Sequence, residues 1–147
     1  LRRELNARCG LTEEDFTPKV HIDVPMPMDY ADEALAEDIA LLEPFGVGNP
    51  KPLFAQKDLV FCSGFRMGAG GNCARFRVRT PGGEERQLVF FGDVEEFDLF
   101  LEEKFGPGSG DALYGGRGNF PVSVVYQVGK NTYKGRCELQ YVMKHYC

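Results

Sequence analysis

A stretch rich in proline and glycine, LEPFGVGNPKPLF at residues 42–54, divides the chain into an acidic part and a β-rich part. Pro44 cannot continue a helix, because it lacks an amide N–H and its ring collides with the preceding turn. Gly46 and Gly48 permit a positive φ, and the two later prolines hold the residues before them extended. The stretch predicts a stiff elbow between a helix and a strand, although an ordinary connector would have the same composition.

The part before the elbow predicts short helical and extended elements. Residues 1–15 predict the end of a helix and then a capped turn. Lys19–Val24 alternates polar and apolar residues, as a half-buried strand does. Asp29 is placed to cap a helix over Tyr30–Glu43. Its apolar face comprises Leu35, Ile39 and Leu42. The acidic residues of this helix predict a solvated face, because no histidine joins them for metal or acid–base work.

The part after the elbow predicts five strands and one long helix. The strands are predicted at Leu59–Cys62, Ala74–Arg79, Arg86–Phe91, Pro121–Val128 and Cys137–Tyr146. Asp93 and Glu96 form a capping box for a helix that ends at Gly106, between strands three and four. This order predicts a mainly β (α+β) fold, a five-stranded OB-fold barrel preceded by a helical and extended N-terminal segment.

The charge of the chain is distributed unevenly. The net charge is −5, but residues 1–52 carry −6 and residues 53–147 carry +1, with most acids of the second part at 93–105. Arg75, Arg77 and Arg79 alternate with apolar residues, so the second strand presents three guanidiniums on one face. Such a row indicates an anionic partner, whereas glutamates across the hairpin at Glu84 and Glu85 would make it an ordinary charged edge.

Further candidate residues fall in the two loops with which OB folds bind oligonucleotides or sugars. Arg66 falls in a glycine-rich loop over Phe65–Asn72, after the first strand. The loop between strands four and five contributes Asn131, Tyr133, Lys134 and Arg136. Basic groups interleaved with an aromatic ring suit single-stranded nucleic acid, because the cations follow the backbone and the ring stacks on a base.

The cysteines and histidines predict neither a zinc site nor a disulfide framework. The five cysteines include no C-x-x-C pair, and the two histidines are far apart in sequence. Reduced thiols in a cytoplasm fit this pattern, and no apolar run approaches the ~20 residues that a membrane span needs. Cys73, beside two glycines, is the one thiol considered as a nucleophile.

Three segments give the chain a family resemblance. They are LTEEDFTPK at residues 11–19, LEPFGVGNP at 42–50 and NTYKGR at 131–136, the last followed by Leu139 and Gln140. Together they resemble the carboxy-terminal region of the RecJ family, single-stranded-DNA-specific 5′-to-3′ exonucleases of the DHH phosphoesterase superfamily. The resemblance implies a parent hydrolase of DNA repair and recombination, with a nuclease core that holds Mn²⁺ or Mg²⁺. No motif of that core occurs in this chain, so no catalytic or metal-binding residue is expected here.

The resemblance also implies how the chain is organised. Residues 1–28 would be the tail of the nuclease core domain, 29–52 the connecting helix and elbow, and 53–147 the OB-fold domain. The chain begins at Leu1 and ends within a predicted strand, so it is expected to be a piece of a longer protein. Relative to a minimal OB domain, residues 106–119 look inserted.

The expected role is a DNA-binding module that is not itself an enzyme, with single-stranded DNA and the nuclease core of the same chain as partners. Two alternatives stay open. An OB surface, with the acidic helix at 93–105, could dock single-strand-binding protein or a helicase. The chain could also be an enzyme that uses a thiol site at Cys73.

Overall fold

The computed structural model describes residues 19–147, apart from Ala69, Lys134 and the side chains of Tyr133 and Arg136. The elements predicted for residues 1–15 therefore lie outside the described residues. The strands are β1 (Val24–Pro25), β2 (Phe54–Met67), β3 (Cys73–Arg79), β4 (Glu85–Phe91), β5 (Phe120–Tyr133) and β6 (Arg136–Tyr146). The helices are α1 (Glu33–Ala40), α2 (Val94–Phe105) and α3 (Ser109–Tyr114). None of these described helices is long and apolar enough to cross a membrane.

Five of the strands close into a barrel. The sheet order is β1-β2-β3-β4-β6-β5, and β5 returns to pair with β2. β4 and β6 are parallel, while the other pairs around the barrel are antiparallel. With α2 between the third and fourth barrel strands, this is the Greek-key arrangement of an OB fold. The predicted fold class is therefore confirmed.

The first barrel strand is much longer than the predicted Leu59–Cys62. β2 extends over 14 residues, and two irregularities allow this one strand to pair with more than one neighbouring strand. One lies between Gln56 and Leu59, where Asp58 has a φ of 54°, and the other lies between Phe61 and Ser63. These bulges bend the strand, so that its first half pairs with β5 and its second half pairs with β3.

The helix α2 closes one end of the barrel. The Asp93 carboxylate accepts hydrogen bonds from the amides of Glu95 and Glu96 at 2.9 and 3.1 Å, so the predicted N-cap is confirmed. Val94, Phe97 and Leu101 are fully buried on its inner face. The Phe97 ring lies at the centre of an aromatic cluster. Its neighbours are Phe61, Phe76, Phe90, Phe100 and Tyr146.

Residues 106–119 form a compact connection against β2. The connection contains α3 and returns to the barrel at Gly118, whose amide donates to the Cys62 carbonyl at 3.0 Å. A Cβ on Gly118 would lie 2.6 Å from the Phe61 carbonyl oxygen, so only glycine fits here without a shift of the backbone. The close approach of two backbones explains how this inserted segment stays on the barrel.

The N-terminal elements differ from their predictions. Only Val24–Pro25 pairs as a strand, and Met28–Tyr30 forms a 3₁₀ turn instead of the start of a helix. The N-cap is Asp32, which accepts from the Leu35 amide at 2.9 Å, so the predicted cap at Asp29 is wrong. The helix is also shorter than predicted. It buries Ala36 and Ile39, while Leu42 lies beyond its end and is 52% exposed.

Long-range hydrogen bonds from the barrel explain this difference. The Tyr126 hydroxyl donates to the Met26 carbonyl at 2.8 Å, and the Tyr141 hydroxyl donates to the Ala31 carbonyl at 2.6 Å. The Met28 amide donates to Gln56 Oε1 at 2.8 Å. In a helix that began at Tyr30, the Ala31 carbonyl would accept from the Leu35 amide, whereas here it accepts from the Tyr141 hydroxyl. The other two bonds hold the residues just before that start to the barrel. The barrel therefore decides where α1 can begin.

The elbow is held by an asparagine and not by unusual glycine conformations. Neither Gly46 nor Gly48 has a positive φ, so the turn does not use the conformational freedom that these glycines permit. Gly46 and Asn49 instead exchange backbone hydrogen bonds of 2.9 and 3.1 Å. The Asn49 side-chain amide donates to the carbonyls of Leu42 and Pro44 at 2.6 and 3.2 Å. The turn is thus fixed by hydrogen bonds that most residue types at 46 and 48 would leave intact.

Candidate nucleic-acid interface

The predicted alternation of β3 is confirmed. Ala74, Phe76 and Val78 are fully buried, while Arg75, Arg77 and Arg79 are exposed on the outer face of the barrel. We call these three arginines the arginine row. β3 lies between β2 and β4, so the arginine row is at the middle of a three-stranded surface. Alternate residues of a strand are roughly 7 Å apart, so the row is about 14 Å long.

The charge of the arginine row is only partly balanced by its neighbours. Arg77 Nη1 lies 3.9 Å from Glu85 Oε2, with both side chains about half exposed. Arg79 Nη2 donates to Asn119 Oδ1 at 3.4 Å. In the described part of the chain, no carboxylate lies within ion-pair distance of Arg75. Glutamate therefore neutralises the row much less than the charged-edge alternative requires.

Glu84, the other glutamate of that alternative, does not face the row. Its carboxylate pairs with Arg86 instead. Arg86 lies opposite Val78 in the register, on the alternate face of β4 from the residues beside the row. The turn that joins these strands is tight: the Gly83 amide donates to the Thr80 carbonyl at 2.9 Å, and Gly83 has a φ of 88°.

Two exposed phenylalanines flank the end of the row and were not among the predicted site residues. Phe65 of β2 lies directly opposite Arg75, and Phe91 of β4 lies directly opposite Cys73. Their exposed fractions are 69% and 60%. Because Leu88 and Phe90 point inward, the alternation along β4 could have predicted that Phe91 points outward. Phe65 could not be found in the same way, because it was predicted to lie in a loop. The register brings both rings to the face of the arginine row.

Arg66 lies in a strand and not in the predicted loop, because β2 continues to Met67. It is paired with Ala74, an inward residue of β3, so its side chain leaves β2 on the face opposite to Phe65. The Arg66 guanidinium forms an ion pair with Asp98 and lies 4.7 Å from the centre of the Tyr114 ring. The structure therefore does not bring Arg66 together with the arginine row.

Asp98 and Tyr114 complete this separate polar cluster. The Tyr114 hydroxyl donates to Asp98 Oδ1 at 2.8 Å and so ties α3 to α2. Burial raises the pKa of Asp98, while the Tyr114 hydrogen bond and the Arg66 charge oppose that shift. Burial and the neighbouring Asp98 both raise the pKa of Tyr114. The cluster is thus a structural link between β2, α2 and α3.

The loop predicted between strands four and five is shorter than expected. β5 runs to Tyr133 and β6 starts at Arg136, with Gly135 in the turn at a φ of 78°. Asn131 therefore lies in a strand, exposed and opposite Glu138. Lys134 lies outside the described residues, as do the side chains of Tyr133 and Arg136. Their DNA-binding roles stay predictions.

Cys73 shows no sign of an activated thiol. It is half-buried, and burial raises the pKa of its thiol while Arg75 partly opposes the shift. A raised pKa reduces the thiolate fraction that nucleophilic use requires. Across residues 19–147 as described, no group of three or more histidine, cysteine or carboxylate side chains is arranged to hold a metal ion.

The closed Greek-key barrel defines an OB-fold domain, a class that includes many binders of oligonucleotides and oligosaccharides. The family model described as "RecJ OB domain" matches residues 22–145. The chain therefore belongs to the RecJ OB domain family, which confirms the family expected from its three motifs.

Two similar proteins show how much of a relative this chain represents. The chain is 31% identical over 149 residues to the single-stranded-DNA-specific exonuclease RecJ of Bacillus subtilis (strain 168), covering 98% of this chain and 16% of that protein. The crystal structure of RecJ in complex with Mg²⁺ from Thermus thermophilus matches with a TM-score of 0.52 and 18% identity. That match covers 86% of this chain and 16% of the other, and it supports the fold. The chain thus spans about a sixth of the relatives it matches.

Proposed function

We propose that this chain is the single-stranded-DNA-binding module of a RecJ-like 5′-to-3′ exonuclease that acts in DNA repair and recombination. The observation that carries the proposal is the arginine row on the outer face of β3. In OB folds, the corresponding strands and the loops at their ends bind oligonucleotides. Membership of the RecJ OB domain family supports DNA as the polyanion.

The proposed role of the arginine row is to hold the sugar-phosphate backbone. Successive phosphates of one strand advance by ~3.4 Å along the axis of a stacked helix, so a row about 14 Å long spans several of them. Arginine suits this task because its planar guanidinium can donate two hydrogen bonds to one phosphate. The residues predicted around the β5–β6 turn would extend this contact. They are Asn131, Tyr133, Lys134 and Arg136. Arg66, beyond its bond with Asp98, has a half-exposed guanidinium for a further phosphate.

A salt titration with matched variants tests this role. We expect the Arg75→Gln/Arg77→Gln/Arg79→Gln variant to bind a fluorescent single strand more weakly, because glutamine cannot neutralise phosphates. The slope of log affinity against log salt should flatten by about 0.7 for each phosphate that the variant no longer neutralises. The control is the Lys19→Gln/Lys57→Gln/Lys104→Gln variant, which removes the same charge from exposed positions outside the row. Equal binding by both variants, with normal thermal melts, would place the DNA surface elsewhere.

In the proposed parent protein, cleavage takes place in a nuclease core of the same chain that holds Mn²⁺ or Mg²⁺. This chain would then position the strand without cutting it. A clean preparation of the chain should leave single-stranded DNA intact with either metal. If an activity that releases mononucleotides copurified with the chain, the proposal that this chain binds DNA without cutting it would be contradicted.

One observation favours a second function, the docking of single-strand-binding protein or a helicase. An open groove of about 930 Å³ shares no residue with the arginine row. Among its lining residues, Val20, Ile22 and Tyr30 are exposed apolar or aromatic side chains. Exposed apolar surface of this kind is typical of protein contacts. Capture of either protein by the immobilised chain in nuclease-treated buffer, lost on Ile22→Glu, would support this function.

A further inference from the structure

The two exposed phenylalanines lie on the same surface as the arginine row. Phe65 and Arg75 are direct cross-strand partners, and Phe91 is paired with Cys73, which precedes Arg75 by two positions on the same face. The two rings therefore lie on either side of β3, at the same end of the row. Two strand spacings separate β2 from β4, so their backbones are roughly 10 Å apart.

Both rings lie mostly in water although the barrel could have carried polar residues there. Phe65 is 69% exposed and Phe91 is 60% exposed, whereas inward rings such as Phe61 and Phe76 are fully buried. On β4, two positions before Phe91, Val89 also points to the outer face, opposite Arg75, yet it is only 5% exposed. This end of the face is thus apolar and aromatic, while the rest of the row is cationic.

The arginine row and the rings recognise different chemical features. Phosphates occur in single strands and duplexes alike, so arginine contacts alone do not distinguish the two forms. A ring can stack on a base only if the base offers a free π-face, which bases within a duplex do not. Phe65 and Phe91 are also offset by two residues along β3, so their backbones lie roughly 12 Å apart. This separation exceeds the ~3.4 Å step of a stacked strand, so each ring would receive a different base.

We infer that Phe65 and Phe91 each stack on a base at the Arg75 end of the row, and that this pair makes the surface select unpaired over paired nucleic acid. The inference rests on the proposed function, because it needs the strand to lie on this face. It assigns the selection to two residues that are separate from the phosphate contacts. The occupant is single-stranded nucleic acid, as the neighbouring arginines supply the charge complementary to its backbone.

Leucine variants test the selection directly. Phe65→Leu and Phe91→Leu keep an apolar side chain but remove the π-face, and both positions are exposed, so the fold should persist. Each change should weaken binding of a labelled oligothymidylate about 5- to 150-fold, the effect of losing one base stack. Binding of a duplex of equal length should stay constant, so that the double variant loses its preference for the single strand. Tyr30→Leu, at a 73% exposed aromatic position outside this face, is the matched control.

A tryptophan reporter provides a second readout that is independent of affinity. The chain has no tryptophan, so Phe65→Trp and Phe91→Trp each introduce a single indole. Oligothymidylate should quench both indoles, whereas the Tyr30→Trp control should not respond. The inference is wrong if the wild type binds single strands, the leucine variants bind them equally well, and the fluorescence of both indoles is unchanged at saturation. The arginine row would then bind the strand without these two rings. If neither the wild type nor any variant binds single strands, the proposed function fails and the inference fails with it.

Discussion

The aromatic cluster around Phe97 predicts a large loss of stability for Phe97→Ala. The ring is fully buried, and its centre lies between 4.9 and 6.1 Å from the centres of five other rings. Truncation of a buried phenylalanine costs about 3–5 kcal/mol, which combines lost burial with the cavity left behind. Four of the five rings come from the strands β2, β3, β4 and β6, so the walls cannot collapse into the cavity. We therefore expect a loss near the upper end, about 4–5 kcal/mol.

Urea denaturation followed by circular dichroism measures this loss, and the helix α2 itself offers the control. Leu99 is two positions further along α2 and is 67% exposed, so Leu99→Ala should change the free energy of unfolding by no more than about 0.5 kcal/mol. A typical domain has only about 5–15 kcal/mol of stability, so Phe97→Ala should move the urea midpoint strongly. A loss below about 2 kcal/mol, or similar losses for both variants, would refute a cluster centred on Phe97.

Two further predictions concern the connection between α2 and β5. Burial raises the pKa of Asp98 in the folded state, so its favourable contribution is fully present below the unfolded pKa and is lost as the pH rises through the folded pKa. Between pH 3 and 7, the melting temperature of the wild type should therefore rise relative to that of Asp98→Asn as the pH falls. A difference in melting temperature that does not change with pH would contradict the raised pKa. Gly118→Ala should cost about 1–3 kcal/mol, because its Cβ would lie 2.6 and 2.9 Å from two β2 carbonyl oxygens. Gly48→Ala, whose Cβ would have open space, is the control in the same denaturation assay, and equal losses would exclude a clash at Gly118.

Local patterns in the sequence predicted the elements whose stabilising contacts are themselves local. The strict alternation of β3 placed the arginine row, and the short distance from Asp93 to its capped amides placed the start of α2. The N-terminal helix was predicted too long because its start depends on Tyr126 and Tyr141, which lie about 100 positions further along the chain. The residues near the helix in sequence therefore do not determine where it begins.

The candidate site was predicted in part for the same reason. Arg75, Arg77 and Arg79 share a face by simple alternation, which a sequence shows. Phe65 joins them only because β2 passes its bulge at Phe61–Ser63 and stays paired with β3 beyond it. The same continuation of β2 places Arg66 on the opposite face, beside Asp98. This position could not be predicted while Arg66 was expected in a loop.

The closure of the barrel by β2 and β5 has a consequence for the growing polypeptide. Phe54 pairs with Tyr126, so the ribosome must add more than fifty residues after β2 before any of β5 exists. At ~5–20 residues per second, the free edge of β2 waits for several seconds with its backbone groups unpaired. That edge carries Lys57 and Asp58 at its bulge, just before the apolar residues Leu59, Val60 and Phe61. Charge and an irregular backbone both discourage pairing with another chain, and β2 carries both at the edge that stays unpaired longest during synthesis.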